Sequence, residues 1–347
     1  MKVLVVGDSF VPVEVFQAGL GSIARAHEVE YLQLDESRLL APATDSERSI
    51  REFLGTPGQI AARVGDKDVL VVHGAPVTDD VLNAGARLRL VCCARGGPVN
   101  VDVRAATARG LQVVNTPGKN ADAVADQALA FMVMLARGFP RAQKFLLDGG
   151  SLGESAYEGA QFLGHELGGH LLGLVGYGNV GTRVAKRALA FGMGVIVHDP
   201  YVPSIEIAGV RQVSSLAALL EEADFVSVHV RASAETENLF GRAEFAAMKK
   251  GAWFVNTARE ALVDEAALDA ALASGHIAGA ALDVVRSRSG GGPHPLLRHS
   301  NVVMTPHIGG ATHETLLRGV TMVAAEIERF NAGEPLVNVV NRAAVKT

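Results

Sequence analysis

The sequence predicts an α/β protein with two doubly wound parallel-sheet domains. Short apolar runs of strand length alternate with helix-length segments in both halves of the chain, the pattern of parallel strands joined by crossover helices. A length of 347 residues suits two domains of ordinary size. Apolar residues make up 48% of the sequence and aromatic residues only 5%, which fits Ala-, Val- and Gly-rich α/β cores.

Composition also excludes several classes of function. The formal net charge is −5 and the isoelectric point is about 6.1, and no basic stripe is visible, so we expect no nucleic-acid partner. Asp8 comes too early for a signal-peptide core, and no apolar run reaches membrane-spanning length. Cys92 and Cys93 are adjacent and predict buried free thiols in a reducing compartment. We therefore expect a cytoplasmic protein.

Five strands are predicted in the first part of the chain. They cover residues 2–6, 28–34, 69–73, 88–94 and 111–114. The last three each run into a turn that contains Gly, Pro or both. Ligands of parallel sheets bind beyond the carboxyl ends of the strands, so loops 73–76, 95–98 and 115–120 are predicted to line one cleft.

A long helix is predicted next, over residues 121–137. It is apolar on most faces, and a helix of this kind must be buried. Gly138 and Pro140 are interpreted as its stop signals. Residues 148–169 are Gly-rich and weakly periodic, so they are predicted to form a long connection.

A strand–turn–helix motif follows at residues 171–201. An apolar run over 171–175 leads into Gly176, Gly178 and Gly181, in G-x-G-x-x-G spacing. The first glycine permits the tight turn, the second lets the backbone approach a pyrophosphate, and the third lets the helix pack closely on the strand. The start of the helix offers unpaired N–H groups to the phosphates. The predicted phosphate-binding residues are Gly176, Gly178, Asn179, Val180 and Gly181.

The motif continues into a second strand, residues 195–197, which ends at Asp199. This carboxylate lies 18 residues beyond Gly181, where it can accept both ribose hydroxyls of NAD. Pro200 and Tyr201 follow, with no Arg or Lys to bind a 2′-phosphate, so NAD is preferred over NADP. The segment therefore predicts a Rossmann-like NAD-binding domain.

Three polar side chains follow later strands in this half. The strands are predicted at residues 225–230, 253–256, 277–282 and 302–304, before a helix over 312–330. Arg259 is suited to bidentate binding of a substrate carboxylate. Asp283 can accept a hydrogen bond from the nicotinamide amide, and His307 can move the substrate hydroxyl proton. The predicted cofactor-contacting residues here are Thr257, Ala258, Asp283, His307 and Gly309.

Two other motifs are set aside. Gly7-Asp-Ser-Phe10 has no matching triad partner and is interpreted as the turn after the first strand. His165-Glu166 and His170 are similar to a zinc-protease helix, but the second histidine is one position too far along. We expect no metal site.

Taken together, the motifs resemble the D-isomer-specific 2-hydroxyacid dehydrogenases, particularly the D-3-phosphoglycerate dehydrogenase-like branch. The resemblance covers nearly the whole chain. Besides the glycine motif, it rests on segments 115–121 (NTPGKNA), 256–259 (NTAR), 279–284 (GAALDV), 294–297 (HPLL) and 305–310 (TPHIGG).

The resemblance implies a discontinuous substrate domain, residues 1–119 and 310–347, with an NAD-binding domain over 120–309 inserted between them. It further implies an interdomain cleft, a homodimer, and hydride exchange between NAD(H) and C2 of a D-2-hydroxyacid or 2-oxoacid. Arg259 would bind the carboxylate and His307 would be the acid/base. The residues expected to contact substrate are Gly74, Ala75, Arg95, Gly96, Gly97 and Arg259.

The chain departs from the family where the catalytic histidine is paired with a glutamate. The expected position holds Arg288, and no Asp or Glu occurs between Asp283 and Glu314. Smaller departures are Glu260, where the family usually has glycine, and Arg231, where it often has proline.

Two hypotheses follow. Either the enzyme acts on a more anionic substrate, such as a phosphorylated hydroxyacid or a sugar acid, or the chain is an NAD(H)-binding regulator or scaffold with weak or lost activity. The arginines that would bind the extra anion are Arg95, Arg231, Arg286 and Arg288.

Overall fold

The chain folds into two compact units in a computed structural model that describes residues 1–151, 156–205, 207–287 and 292–342. The first unit contains residues 1–120 and 311–347, and the second contains residues 121–310. In the ranges described, no helix combines the length and apolarity needed to span a bilayer. Arg288 lies outside the described residues.

The first unit is built on a five-stranded parallel sheet in the order β2-β1-β3-β4-β5. Its strands are β1 (Lys2–Gly7), β2 (Glu28–Gln33), β3 (Val69–Val72), β4 (Leu90–Cys93) and β5 (Gln112–Val114). Its helices are α1 (Val13–Gly19), α2 (Gly21–Ala26), α3 (Pro57–Val64), α4 (Asp79–Ala84), α5 (Val103–Ala108) and, near the C-terminus, α12 (His313–Ala332). β3 and β4 are buried along their whole length, which is why they are continuous apolar runs.

The second unit is built on a seven-stranded parallel sheet in the order β12-β11-β10-β9-β6-β7-β8. Its strands are β6 (Leu171–Val175), β7 (Gly194–His198), β8 (Val210–Gln212), β9 (Phe225–Val228), β10 (Ala252–Asn256), β11 (Ile277–Leu282) and β12 (Val302–Met304). Its helices are α6 (Ala121–Ala136), α7 (Phe139–Leu147), α8 (Gly181–Ala190), α9 (Leu216–Glu222), α10 (Arg242–Ala247) and α11 (Glu265–Ala273). The order reverses at β6, between β7 and β9, so the loop after β6 lies at the topological switch point.

The region after α6 differs from the sequence prediction. Gly138 is left-handed (φ +63°) and ends α6, but Pro140 lies in the first turn of a further helix, α7. Proline is tolerated there because its missing N–H has no partner within the helix in any case. The predicted connection over 148–169 contains a 3₁₀ helix, Ala156–Phe162.

The long helix α6 is buried, as its apolar sequence predicts. Val124, Ala128 and Met132 are among its buried side chains. On its polar side, Asp122 pairs with Arg183 and Arg187 of α8, which fixes α6 against the helix that follows the glycine motif.

Candidate active site

The glycine motif forms the turn between β6 and α8, and the space around each of its three glycines differs. A Cβ on Gly181 would lie 2.3 Å from the Gly176 carbonyl oxygen, so close packing there requires glycine. Gly176 has φ +98°, a conformation that L side chains rarely adopt. A Cβ on Gly178 would meet nothing within 4 Å. The fold therefore needs glycine at the first and third positions, while the second leaves open space where a pyrophosphate fits.

The turn also presents free donors and an oriented carboxylate. Within the described part of the chain, the amides of Gly178, Asn179 and Val180 make no hydrogen bond, and they immediately precede α8. The Tyr177 amide donates to Asp199 Oδ2 at 2.8 Å, and the Tyr201 amide donates to Oδ1 at 2.9 Å. These residues fit a dinucleotide: amides at a helix N-terminus for phosphate, and a fixed carboxylate for ribose hydroxyls.

A pair of alanine substitutions tests this division of roles. Gly178→Ala should leave the melting temperature unchanged, since its Cβ enters open space, but should weaken NADH binding by about 10-fold or more because it blocks close approach of the phosphates. Gly181→Ala should lower the melting temperature, because its Cβ collides with the Gly176 carbonyl. Thermal unfolding and NADH fluorescence titration measure both. Equal NADH affinity in wild type and Gly178→Ala would contradict the assignment.

The Asp283 carboxylate organises the loop that carries His307. Asp283 is 1% exposed and accepts four hydrogen bonds. The donors are Gln127 Nε2 (3.0 Å), Thr305 Oγ1 (2.6 Å), Ile308 N (2.8 Å) and Gly309 N (2.8 Å). A carboxylate has about four lone-pair sites. Three of these donors contact Oδ1 and one contacts Oδ2, so Oδ2 can accept a further donor, whereas the Gly309 amide is already engaged.

His307 has a constrained backbone and a free side chain. Its φ is +57°, which is uncommon outside glycine, and its amide is held by the carbonyl oxygens of Asp283 (2.8 Å) and Thr305 (3.0 Å). The imidazole is exposed and has no hydrogen-bond partner among the residues described. The loop thus fixes the direction of the side chain and leaves both ring nitrogens available.

The loop after β10 holds Arg259 through a buried asparagine. Asn256 is fully buried, its Nδ2 donates to the Arg259 carbonyl oxygen at 2.9 Å, and its Oδ1 accepts from the Ala258 amide at 2.9 Å. The exposed Arg259 guanidinium donates to the Ala258 carbonyl oxygen at 2.6 Å. Beside it, the buried Thr257 hydroxyl has no partner among described residues. The guanidinium of Arg259 is therefore held in place and keeps further N–H donors for a ligand.

A cavity of about 140 Å³ connects these two loops. It is lined by Glu260, Asp283, Val284, Val285, Thr305, Pro306 and His307. A larger cavity of about 410 Å³ lies elsewhere in the second unit, against Leu163, His165 and Trp253, and contains none of the polar groups at the strand ends. Of these two cavities, the smaller is the one lined by Asp283 and His307.

In the first unit, a buried carboxylate occupies the carboxyl edge of the sheet. Asp8 accepts from the Gly74 amide (2.6 Å), the Val11 amide (2.8 Å) and His73 Nδ1 (3.1 Å). Burial alone would raise the pKa of Asp8, but these hydrogen bonds outweigh it and leave that pKa below its usual value. Burial lowers the pKa of His73 despite Asp8. Asp8 thus anchors the 73–76 loop predicted to contact substrate.

The remaining predicted anion-binding residues differ in their surroundings. Arg95 donates to the Glu52 carbonyl oxygen at 2.9 Å and pairs with the Glu52 carboxylate. No heavy atom would lie within 4 Å of a Cβ on Gly96 or Gly97. Ala75 is buried. In the second unit, Arg231 is exposed. The Arg286 guanidinium there donates to Asn238 Oδ1 at 2.8 Å.

Three residues that support the site were not predicted from the sequence. Gln127, Asn256 and Asp8 have no proposed role in the reaction itself, yet each holds a loop that carries a candidate functional group. The sequence features that could have indicated them were weak. Gln127 is a single amide side chain on an apolar helix, and Asp8 and Asn256 are polar residues at the ends of two buried strands. None of these positions fits a motif with fixed spacing.

Residues 129–309 match the family model described as D-isomer specific 2-hydroxyacid dehydrogenase, NAD binding domain. The chain belongs to this family. The predicted cofactor, NAD, is confirmed by that match, and the two-sheet α/β prediction is confirmed by the fold.

Individual relatives agree. The chain is 40% identical over 289 residues to D-3-phosphoglycerate dehydrogenase of Methanocaldococcus jannaschii, covering 82% of this chain but 54% of the relative. It is 41% identical over 264 residues to hydroxypyruvate reductase of Thermotoga maritima, covering 75% of this chain and 84% of the relative. A solved structure, the TT0316 protein of Thermus thermophilus, aligns over 98% of this chain and 100% of its own at TM-score 0.75 and 33% identity. The chain thus spans about half the length of the phosphoglycerate dehydrogenase it matches.

Proposed function

We propose that the chain catalyses reversible hydride exchange between NAD(H) and C2 of a D-2-hydroxyacid or its 2-oxoacid. In the reduction, C2 receives a hydride and the C2 oxygen receives a proton from His307, which gives the hydroxyacid. In the oxidation, His307 takes the hydroxyl proton as the hydride leaves. Arg259 binds the carboxylate through two parallel N–H donors.

The observation that carries this proposal is the arrangement of Arg259 and His307 on one sheet. β10, β11 and β12 are neighbours, and the two residues follow the carboxyl ends of the first and third of these strands. A buried amide fixes the Arg259 loop and a buried carboxylate fixes the His307 loop, while both functional side chains stay exposed. Rigid loops with free polar ends are what acid/base chemistry on a bound carboxylate requires.

NAD(H), when bound, supplies or accepts the hydride. We propose that the amides of Gly178, Asn179 and Val180 hold its pyrophosphate and that Asp199 holds a ribose. Thr257, with its unpaired hydroxyl, and Ala258 are proposed to lie beside the nicotinamide half. Asp283 is proposed to accept the cofactor amide at Oδ2, which accepts one hydrogen bond, from the Gly309 amide.

The substrate is proposed to be a short oxoacid, with a phosphorylated one or a sugar acid as the more anionic forms. Relatives that the chain matches are named for hydroxypyruvate and for D-3-phosphoglycerate. We propose that Gly74, Ala75, Gly96 and Gly97 contribute backbone donors and that Arg95 contributes charge. The open space beside both glycines of the 95–97 loop supports close approach of a ligand.

A panel of 2-oxoacids with NADH tests the proposal. Hydroxypyruvate, glyoxylate and the 2-oxoacid of D-3-phosphoglycerate should separate short neutral side chains from phosphorylated ones by kcat/KM. Chiral analysis of the products of the first and third acids should give the D isomer. Tight NADH binding without turnover of any acid would instead support the regulator or scaffold hypothesis.

We also propose that the protein is a cytoplasmic homodimer. The thiols of Cys92 and Cys93 are free and buried, as expected in a reducing compartment. Apolar side chains are exposed along α7 and just after the 3₁₀ helix, which supports a covered face. They are Phe139, Leu146, Leu147 and Leu163, the last 82% exposed. Light scattering should give twice the 36.3 kDa chain mass, and the chain mass alone would exclude the dimer.

A further inference from the structure

We propose that Glu260 is the carboxylate that hydrogen-bonds and orients the imidazole of His307, in place of the glutamate that the family has at position 288. This assignment rests on the proposed function of His307 as the acid/base. Glu260 is a positioning residue, since it acts through the imidazole and not on the substrate.

Geometry places the two side chains around one small space. Glu260 and His307 both line the cavity of about 140 Å³. That volume is below the range of about 300–1,000 Å³ that is usual for small-molecule sites, so groups on its opposite walls are near one another. Glu260 and His307 therefore border a common space with room for a few water molecules.

Elimination leaves Glu260 as the available acid. The carboxylates lining the cavity belong to Glu260 and Asp283. Asp283 is buried and already accepts four hydrogen bonds, three at Oδ1 and one at Oδ2. In the ranges the structure describes, the Glu260 carboxylate has neither a hydrogen bond nor an ion pair, and its residue is half-buried. Glu260 can therefore accept an N–H from His307 without losing another partner.

The backbone at Glu260 is well supported for this role. Glu260 begins a 3₁₀ helix, Glu260–Leu262, whose last residue is completely buried, and it directly follows Arg259, whose carbonyl is held by Asn256. A residue anchored on both sides presents its side chain from a fixed point.

The sequence lacks one acidic residue that the family has and contains another that the family usually lacks. No Asp or Glu occurs between Asp283 and Glu314, so the family glutamate has no substitute within its own segment. At position 260 the family usually has glycine, and this chain has a carboxylate. The two departures together keep one acid beside the catalytic histidine, delivered from the loop after β10 in place of the loop after β11.

The functional consequence lies in the protonation of His307. A carboxylate beside an imidazole favours its charged form, and a hydrogen bond to one ring nitrogen leaves the other directed at the substrate oxygen. Without Glu260 the imidazole loses its proton at lower pH and turns more freely. Reduction, which needs the protonated ring, suffers first as the pH rises.

The first experiment compares pH profiles of oxoacid reduction. Glu260→Gln should lower kcat by about 10-fold or more with little change in KM, and should move the alkaline limb of kcat/KM down by about one pH unit. Glu260→Asp should recover part of the lost kcat and part of the shift in the alkaline limb. Glu221→Gln removes the same charge from the exposed end of α9 and should match wild type. An unchanged pH profile and kcat in Glu260→Gln would overturn the assignment.

A second experiment does not depend on turnover. With histidine labelled at Cε1, His307 is identified as the NMR signal missing from His307→Asn. In Glu260→Gln that signal should titrate at lower pH than in wild type, while the other histidine signals stay in place. Identical titration in both proteins would refute the pairing. If no oxoacid is reduced but the signal shifts, the proposed function fails while the contact stands.

Discussion

Replacing His307 by asparagine should lower kcat/KM for oxoacid reduction by about 10²- to 10⁴-fold, the usual contribution of a general acid. Asparagine is chosen because residue 307 has φ +57°, and asparagine tolerates the left-handed region better than most other residues. The loop geometry is then kept, and the loss reports on the imidazole. Steady-state kinetics with a saturating concentration of NADH measures it.

NADH affinity provides the control for this substitution. The 305–309 loop is held by the Asp283 carboxylate through the Ile308 and Gly309 amides and not through the imidazole. The dissociation constant for NADH in His307→Asn should therefore stay within a few-fold of wild type. If His307→Asn retained more than a tenth of wild-type kcat/KM, His307 would not be the acid/base.

The sequence predicted the strand–turn–helix that carries the glycine motif, because glycine spacing reports backbone constraints directly. Gly176 and Gly181 are required by a positive φ and by a 2.3 Å approach, and these requirements show in the sequence as an invariant spacing of residue types. Strand-end positions were also predictable, since apolar runs end where a parallel sheet ends. The placement of Arg259 and His307 just after strand ends was predicted in this way, and their catalytic roles stay predictions.

The supporting contacts were not predictable in the same way. Gln127 reaches Asp283 across 156 positions of sequence, and Asp8 reaches Gly74 across 66. Such pairs are fixed by tertiary packing, and neither partner carries a local pattern that names the other. Helix α7 was missed for a local reason: Pro140 was interpreted as a stop, although proline also suits a first helical turn.

Glu260 illustrates how the two kinds of information combine. From the sequence alone it was a minor departure from the family, separate from the missing acid at position 288. Its meaning depends on a cavity that it shares with His307 and on the hydrogen bonds that already engage Asp283. Residues that are 47 positions apart in the chain could not be paired before the fold was known.

Replacing Arg259 by alanine should reduce kcat/KM by about 30- to 1,000-fold, which corresponds to about 2–4 kcal/mol for losing the charged partner of a bound carboxylate. Arg259→Lys should recover only part, because an ammonium cannot form two parallel hydrogen bonds. The guanidinium donates only to the neighbouring Ala258 carbonyl among described residues, so the melting temperature should not change. Arg211→Ala is the matched control, because it removes an exposed guanidinium that pairs with Glu222, and its effect should be much smaller.

A double-mutant cycle with the substrate separates carboxylate binding from general electrostatics. The methyl ester of the same oxoacid lacks the charge that Arg259 is proposed to bind. Wild type should lose about as much kcat/KM on the ester as Arg259→Ala loses on the acid, and the variant should lose little more on the ester. Additive losses would mean that Arg259 and the carboxylate do not interact, and the carboxylate would then have to be bound by another cation, for which Arg95 is the next candidate.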